Sequence, residues 1–171
     1  FELIGVTKAV DGEPAVGRAM LTAGCSGLAE SRLPSLVRLA AHALAPLTLI
    51  RAPQLHATES AAQTADRVAL ADTQTASALG AAAPGYPIEL LRGVDLGDRR
   101  EGVLPEQAPA LAERLAQIPG TVLRGISVNF ACLSGQYPCS RNQVSRAGTY
   151  GLYCEPSDSN VLRLVEVVPI A

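Results

Sequence analysis

One lysine stands eight residues into the chain, in LIGVTKAV at positions 3 to 10, and it is the only lysine among 171 residues; positive charge is otherwise carried by thirteen arginines. A retained amine beside so many arginines points to work that a guanidinium cannot do. An amine loses its proton at an accessible pH and adds to a carbonyl to form a Schiff base. The apolar run before Lys8 favours the neutral, nucleophilic form by desolvation. The alternative is a solvated charge at a strand end, and composition alone leaves both readings open.

Two further stretches join an apolar run to a polar, glycine-containing end. VDLGDRREG at 94–102 sets Asp95 before Gly97 and Asp98, Arg99, Arg100 and Glu101 between Gly97 and Gly102. It reads either as a solvated turn of mutually paired charges or as a backbone bend close to a ligand, with an arginine aimed at a substrate carboxylate or cofactor oxygen. GISVNFACLSGQYP at 125–138 carries Asn129, which is a strand-end cap or a ligand contact. Cys132 lacks a histidine placed to activate it and reads as a packing residue. His42 and His56 are given no role. The four cysteines include no CxxC pair and read as reduced thiols, and neither zinc spacing nor a GxSxG elbow is present.

The elements that must position these residues follow from periodicity. A strand over Phe1 to Val6 leads past Asp11 to Glu13, which offer a cap, into a helix opened by Pro14 and closed by Gly24. Short strands are expected near Gly27 to Glu30, Leu47 to Arg51, Val68 to Ala71, Ile88 to Leu96 and Val122 to Asn129. Helices are expected over Pro34 to His42, Thr58 to Ala65, Thr73 to Ala82 and Pro105 to Gln117. Six strand and helix alternations predict a parallel sheet, either doubly wound or part of a (β/α)8 barrel. No GxGxxG follows the first strand, which argues against a dinucleotide-binding fold, and a closed barrel usually takes about 250 residues, so a fragment or truncated gene product is expected. In both architectures function collects at the C-terminal strand ends, here Lys8, Glu30-Ser31-Arg32, Arg51, Ala71-Asp72, Asp95 to Gly102 and Asn129 to Ser134.

A chain that is 48% hydrophobic and 18% charged, with formal net charge −2, reads as one soluble globular unit. No basic stripe with aromatics is present, so nucleic acid is not expected as a partner. No apolar run approaches the roughly 18 residues of a membrane helix. No signal-peptide pattern opens the sequence, and a cytoplasmic location is the default expectation.

Taken together these motifs resemble the alanine-racemase-like, fold type III enzymes of pyridoxal 5′-phosphate, and within them the ornithine-racemase-like branch. VTKA resembles the first-strand motif, AMLTAGCSGLAESRLPSL the helix and second strand ending in an acid-Ser-Arg triplet, and LTLIRAP, VDLGDRREG and VNFACLSGQYPC the third, fifth and sixth strand ends. The likeness covers about residues 3 to 142. It implies a (β/α)8 TIM barrel of the alanine racemase N-terminal domain type, incomplete here at about six β/α units. Residues 1–142 would be its pyridoxal-phosphate-binding portion and 143–171 a divergent tail of the same domain.

By the same resemblance Lys8 is the Schiff-base lysine and one catalytic acid-base group, and Arg100 is a second catalytic residue near the cofactor's phenolic oxygen and the substrate. Asn129 takes the position packed against the pyridine ring. Ser157, Ser159 and Asn160, in SDSN, echo the branch's phosphate loop. The activity implied is amino-acid racemisation on a small or basic amino acid, with a possible homodimer. The same resemblance admits two alternatives: a non-catalytic pyridoxal-phosphate carrier, whose family shares the strand-end lysine and an acid-Asn-Arg motif, or an inactive barrel fragment.

Overall fold

The computed structural model describes residues 3–95 and 101–128. Its strands and helices alternate without exception: β1 (Ile4–Val6), α1 (Pro14–Thr22), β2 (Gly27–Glu30), α2 (Leu33–Ala40), β3 (Leu47–Leu49), α3 (Thr58–Thr64), β4 (Arg67–Leu70), α4 (Thr73–Ala81), β5 (Ile88–Val94), α5 (Ala108–Leu115) and β6 (Thr121–Val128). The six strands form one parallel sheet in sequence order, β1 to β6. This order separates the two architectures. A doubly wound sheet reverses its winding at a switch point and carries helices on both faces, whereas winding that never reverses puts every helix on one side. The other face is then the lumen of a barrel, of which the described residues build six strands.

Strand alternation divides the side chains accordingly. Leu28, Leu47, Leu49, Val68, Leu70, Ile88 and Leu90 point to the helices and form one buried cluster with Leu36, Leu39, Ala61, Ala62, Ala76, Leu79, Leu111 and Leu115. The intervening positions, among them Ala29, Thr48, Arg67, Ala69 and Glu89, fall on the lumen face.

Local chemistry accounts for the element ends. Glu13 caps α1 by accepting from the Ala15 N–H, and Pro14 opens the helix where no N–H is needed. Gly24, at φ +106°, closes α1 in a Schellman motif, its N–H reaching the Leu21 carbonyl and that of Cys25 reaching Met20. The helix expected from Pro105 instead begins as a 3-10 turn over Pro105–Gln107, with α5 proper starting at Ala108. Pro109 lacks the N–H that would bond the Pro105 carbonyl, so the turn closes from Ala108 three residues on. Between Leu90 and Leu91 the β5–β6 register shifts, pairing Leu90 with Leu123 and Leu91 with Gly125. The shift leaves Arg124 as the extra residue of a bulge. Among the described residues no helix is long and apolar enough to cross a membrane.

Candidate functional site at the C-terminal strand ends

Lys8 opens a 3-10 turn, Lys8–Val10, directly beyond β1, and is half-buried. Two anchors hold that turn. Before it, Thr7 is fully buried, its N–H bonds the Ala29 carbonyl at 3.0 Å, and its carbonyl accepts from the N–H groups of Val10 and Gly12. The Thr7 hydroxyl lies 3.3 Å from the Ala29 carbonyl and 3.5 Å from Glu30 Oε1. After the turn, Asp11 adopts left-handed φ +54° and its carboxyl accepts from the Ser35 hydroxyl at 2.6 Å and the Arg32 guanidinium at 2.5 Å. Arg38 donates to the Asp11 carbonyl oxygen at 2.9 Å. Gly12 follows at φ +66°, so close to α2 that a Cβ would stand 2.6 Å from the Ser35 carbonyl oxygen. Only glycine fits there.

Glu30 ends β2 with 0% exposure. Its Oε2 accepts the N–H groups of Ser31 at 2.9 Å and Arg32 at 3.1 Å, which lead into α2. Those donors would otherwise be orphaned beside the helix start, and a carboxylate there also opposes the positive end of the helix dipole. The Ser35 hydroxyl, against a burial effect in the opposite sense and with the charges of Arg32 and Arg38, holds the Asp11 carboxyl below the usual carboxylate range.

Further along the same rim the Arg51 guanidinium, beyond β3, bonds Glu101 at 2.8 Å, joining the third strand end to the segment after β5. That segment returns against its own strand. The Val103 N–H bonds the Gly93 carbonyl and the Asp95 N–H bonds Val103. Gly102, at φ +105°, passes so near that a Cβ would meet the Asp95 nitrogen at 2.7 Å. The expected glycine-dependent bend after the fifth strand is present at this position.

Of the residues expected to form the site, Lys8 lies within the described structure. Arg100, Asn129, Ser157, Ser159 and Asn160 lie outside the described residues, as do Gly97 and Cys132. Reasoning from sequence missed three interactions: Asp11 as an anchor rather than a helix cap, the burial of Glu30, and a charged cluster toward the other end of the sheet. There Glu89 accepts from Arg67 at 2.6 Å and from the bulged Arg124 at 2.8 Å. Burial pushes the Glu89 carboxyl up, and the hydrogen bonds and charges of the two arginines outweigh it, so the group sits below the usual range. The available clue was charge within otherwise apolar strands, Arg67 in β4, Glu89 in β5 and Arg124 in β6.

The alanine racemase, N-terminal domain family matches residues 2–149. A lysine racemase of Thermotoga maritima is 29% identical over 141 residues, covering 81% of this chain and 39% of its own length. Alanine racemase of Clostridium difficile 630 superposes with a TM-score of 0.76 at 18% identity, over 88% of this chain and 41% of that one. PipY of Synechococcus elongatus PCC7942 superposes with a TM-score of 0.68 at 20% identity, over 84% of this chain and 69% of its own. The chain thus spans about two fifths of the length of the racemases it matches.

Pyridoxal 5′-phosphate is the cofactor of this group, and a PipY structure holds it. The residues present fit it in the respect that matters most: an aldehyde cofactor needs an amine at the mouth of the barrel, and the chain's single lysine stands at a C-terminal strand end on a turn anchored on both sides. By its matched sequence and its unreversed parallel sheet, this chain belongs to the alanine racemase N-terminal domain family.

Proposed function

We propose that the chain is the cofactor-carrying barrel portion of a pyridoxal-phosphate-dependent amino-acid racemase, with residues 1–142 forming that portion and 143–171 a tail of the same domain. The observation that carries this reading is Lys8 itself, a lone lysine at the C-terminal end of β1 on a braced turn. When bound, pyridoxal phosphate draws electrons from the α-carbon of an attached amino acid and makes its C–H bond acidic. Lys8 would hold the cofactor through its amine, and its Nζ would take the α-proton as a neutral amine or deliver one as an ammonium. Arg100, permanently charged, is assigned to hold an oxygen of cofactor or substrate, and Asn129 to the edge of the cofactor ring. Ser157, Ser159 and Asn160 are assigned as donors to the phosphate. The substrate is a small or basic amino acid, a range that includes the one named for the Thermotoga relative. A homodimer is the proposed assembly.

A second reading, a carrier of pyridoxal phosphate without turnover, is favoured by the larger share of PipY that the chain covers, 69%. The test is sequential. The purified chain is mixed with pyridoxal phosphate, its visible absorbance recorded, and the adduct reduced with borohydride and located by peptide mass, with Lys8→Ala as control. Exchange of α-deuterium, or inversion of optical rotation, across a panel of amino acids then marks a racemase. An adduct on Lys8 without either marks a carrier, and no adduct removes both.

A further inference from the structure

The turn carrying Lys8 is bracketed, and both brackets are made by the same short segment. On the near side, Glu30 reaches the Thr7 hydroxyl with one carboxyl oxygen and the Ser31 and Arg32 N–H groups with the other. On the far side, Asp11 takes the Arg32 guanidinium and the Ser35 hydroxyl, while Arg38 holds its backbone carbonyl. Arg32 therefore joins the two: its backbone bonds Glu30 and its side chain bonds Asp11. Three residues, Lys8 to Val10, are suspended between these points, with Gly12 pressed against Ser35.

We propose that Asp11 and Glu30 are positioning residues for Lys8, and that the acid-Ser-Arg triplet ending β2, with Ser35, forms the brace that fixes the direction from which the Lys8 amine leaves the backbone. This rests on the reading of Lys8 as the cofactor lysine and deepens it. A flexible lysine stem has many rotamers, and a carbonyl held elsewhere in the site can be met from few of them. Fixing the turn at both ends removes backbone freedom before the cofactor arrives, so less ordering remains to be done on binding. The brace needs an acceptor at position 11 that tolerates left-handed backbone, which suits Asp or Asn and disfavours Ala.

The full chain is used for the test, in three variants: D11A, D11N and, as a comparator whose charged contacts lie toward the opposite end of the strands, E89Q. Two quantities are read on each. One is the pyridoxal phosphate concentration that half-saturates the borohydride-trapped Lys8 adduct. The other, on the chain without cofactor, is the rate at which Lys8 is acylated by acetic anhydride, measured by peptide mass against the α-amino group as internal standard. D11A is expected to raise the half-saturating concentration about tenfold or more, the factor equivalent to one charge-assisted hydrogen bond, and to change the acylation ratio. D11N, which keeps an acceptor for the Ser35 hydroxyl, recovers part of both. E89Q leaves both unchanged even where it lowers the melting temperature as far as D11A does. Wild-type values for D11A in the acylation ratio, or equal shifts in D11A and E89Q, overturn the brace. Absence of any wild-type adduct overturns the functional reading instead, and the acylation ratio still decides the brace.

Discussion

Replacing Gly12 by alanine is the sharpest perturbation of the Lys8 turn that leaves every polar side chain in place. The residue sits at φ +66°, and a methyl there would stand 2.6 Å from the Ser35 carbonyl oxygen and 3.0 Å from the Ser35 Cβ. Left-handed backbone costs a residue with a Cβ about 1–2 kcal/mol. Relieving the overlap requires α2 and the turn to move apart, and overpacking of this kind costs about 1–3 kcal/mol. Together these give about 2–5 kcal/mol, which at about 2–4 °C per kcal/mol for a domain of this size lowers the melting temperature by about 4–20 °C. Gly85 provides the control. Its φ is +95°, and a Cβ there meets nothing within 4 Å, so Gly85→Ala carries the conformational part alone. Thermal unfolding followed by far-ultraviolet circular dichroism compares the two. A loss in Gly12→Ala no larger than that in Gly85→Ala would refute the close packing of the turn on α2.

Two other outcomes follow from the described contacts. Asp11 and Glu89 both have folded-state pKa values lowered from the ordinary range, so the stability they contribute is complete above the unfolded value, about 4, and is lost as pH falls through the lower folded values; acid unfolding should therefore begin below about pH 4 and be shallower in Glu89→Gln, measured by urea titration at stepped pH. Leu79, with 0% exposure between α4 and the sheet, should cost about 2–5 kcal/mol on truncation to alanine, whereas Leu104, 55% exposed, should change stability by less than about 0.5 kcal/mol.

The fold was legible because its cues are local. Apolar runs bounded by Gly, Pro and polar caps set β2 at Gly27–Glu30 and the start of α1 at Pro14 where periodicity puts them. The choice of a barrel over a doubly wound sheet turned on the strand order, which periodicity does not encode. At the rim, Lys8 and the bend at Gly102 could be read from residue type, since one lysine among thirteen arginines and a glycine closing a charged loop are conspicuous on their own. Asp11, Glu30 and the Arg67–Glu89–Arg124 cluster could not. The partners of Asp11 and of the cluster, and the Thr7 hydroxyl beside Glu30, lie 21 to 35 residues away in sequence order, and contacts of that span depend on which strands are neighbours and, for Arg124, on a bulge. Glu30 shows the difficulty most plainly: an acid at a strand end reads as an exposed rim charge, yet it is buried because the N–H groups leading into α2 need its oxygens.

The central claim concerns a single amine and is tested by locating one covalent bond. Pyridoxal phosphate is added to the purified chain, the mixture is reduced with borohydride, and the peptides are mapped by mass. The account predicts a pyridoxyl group on the peptide containing Lys8 and its disappearance in Lys8→Ala. A wild-type chain that remains unlabelled at Lys8 under saturating cofactor would contradict it.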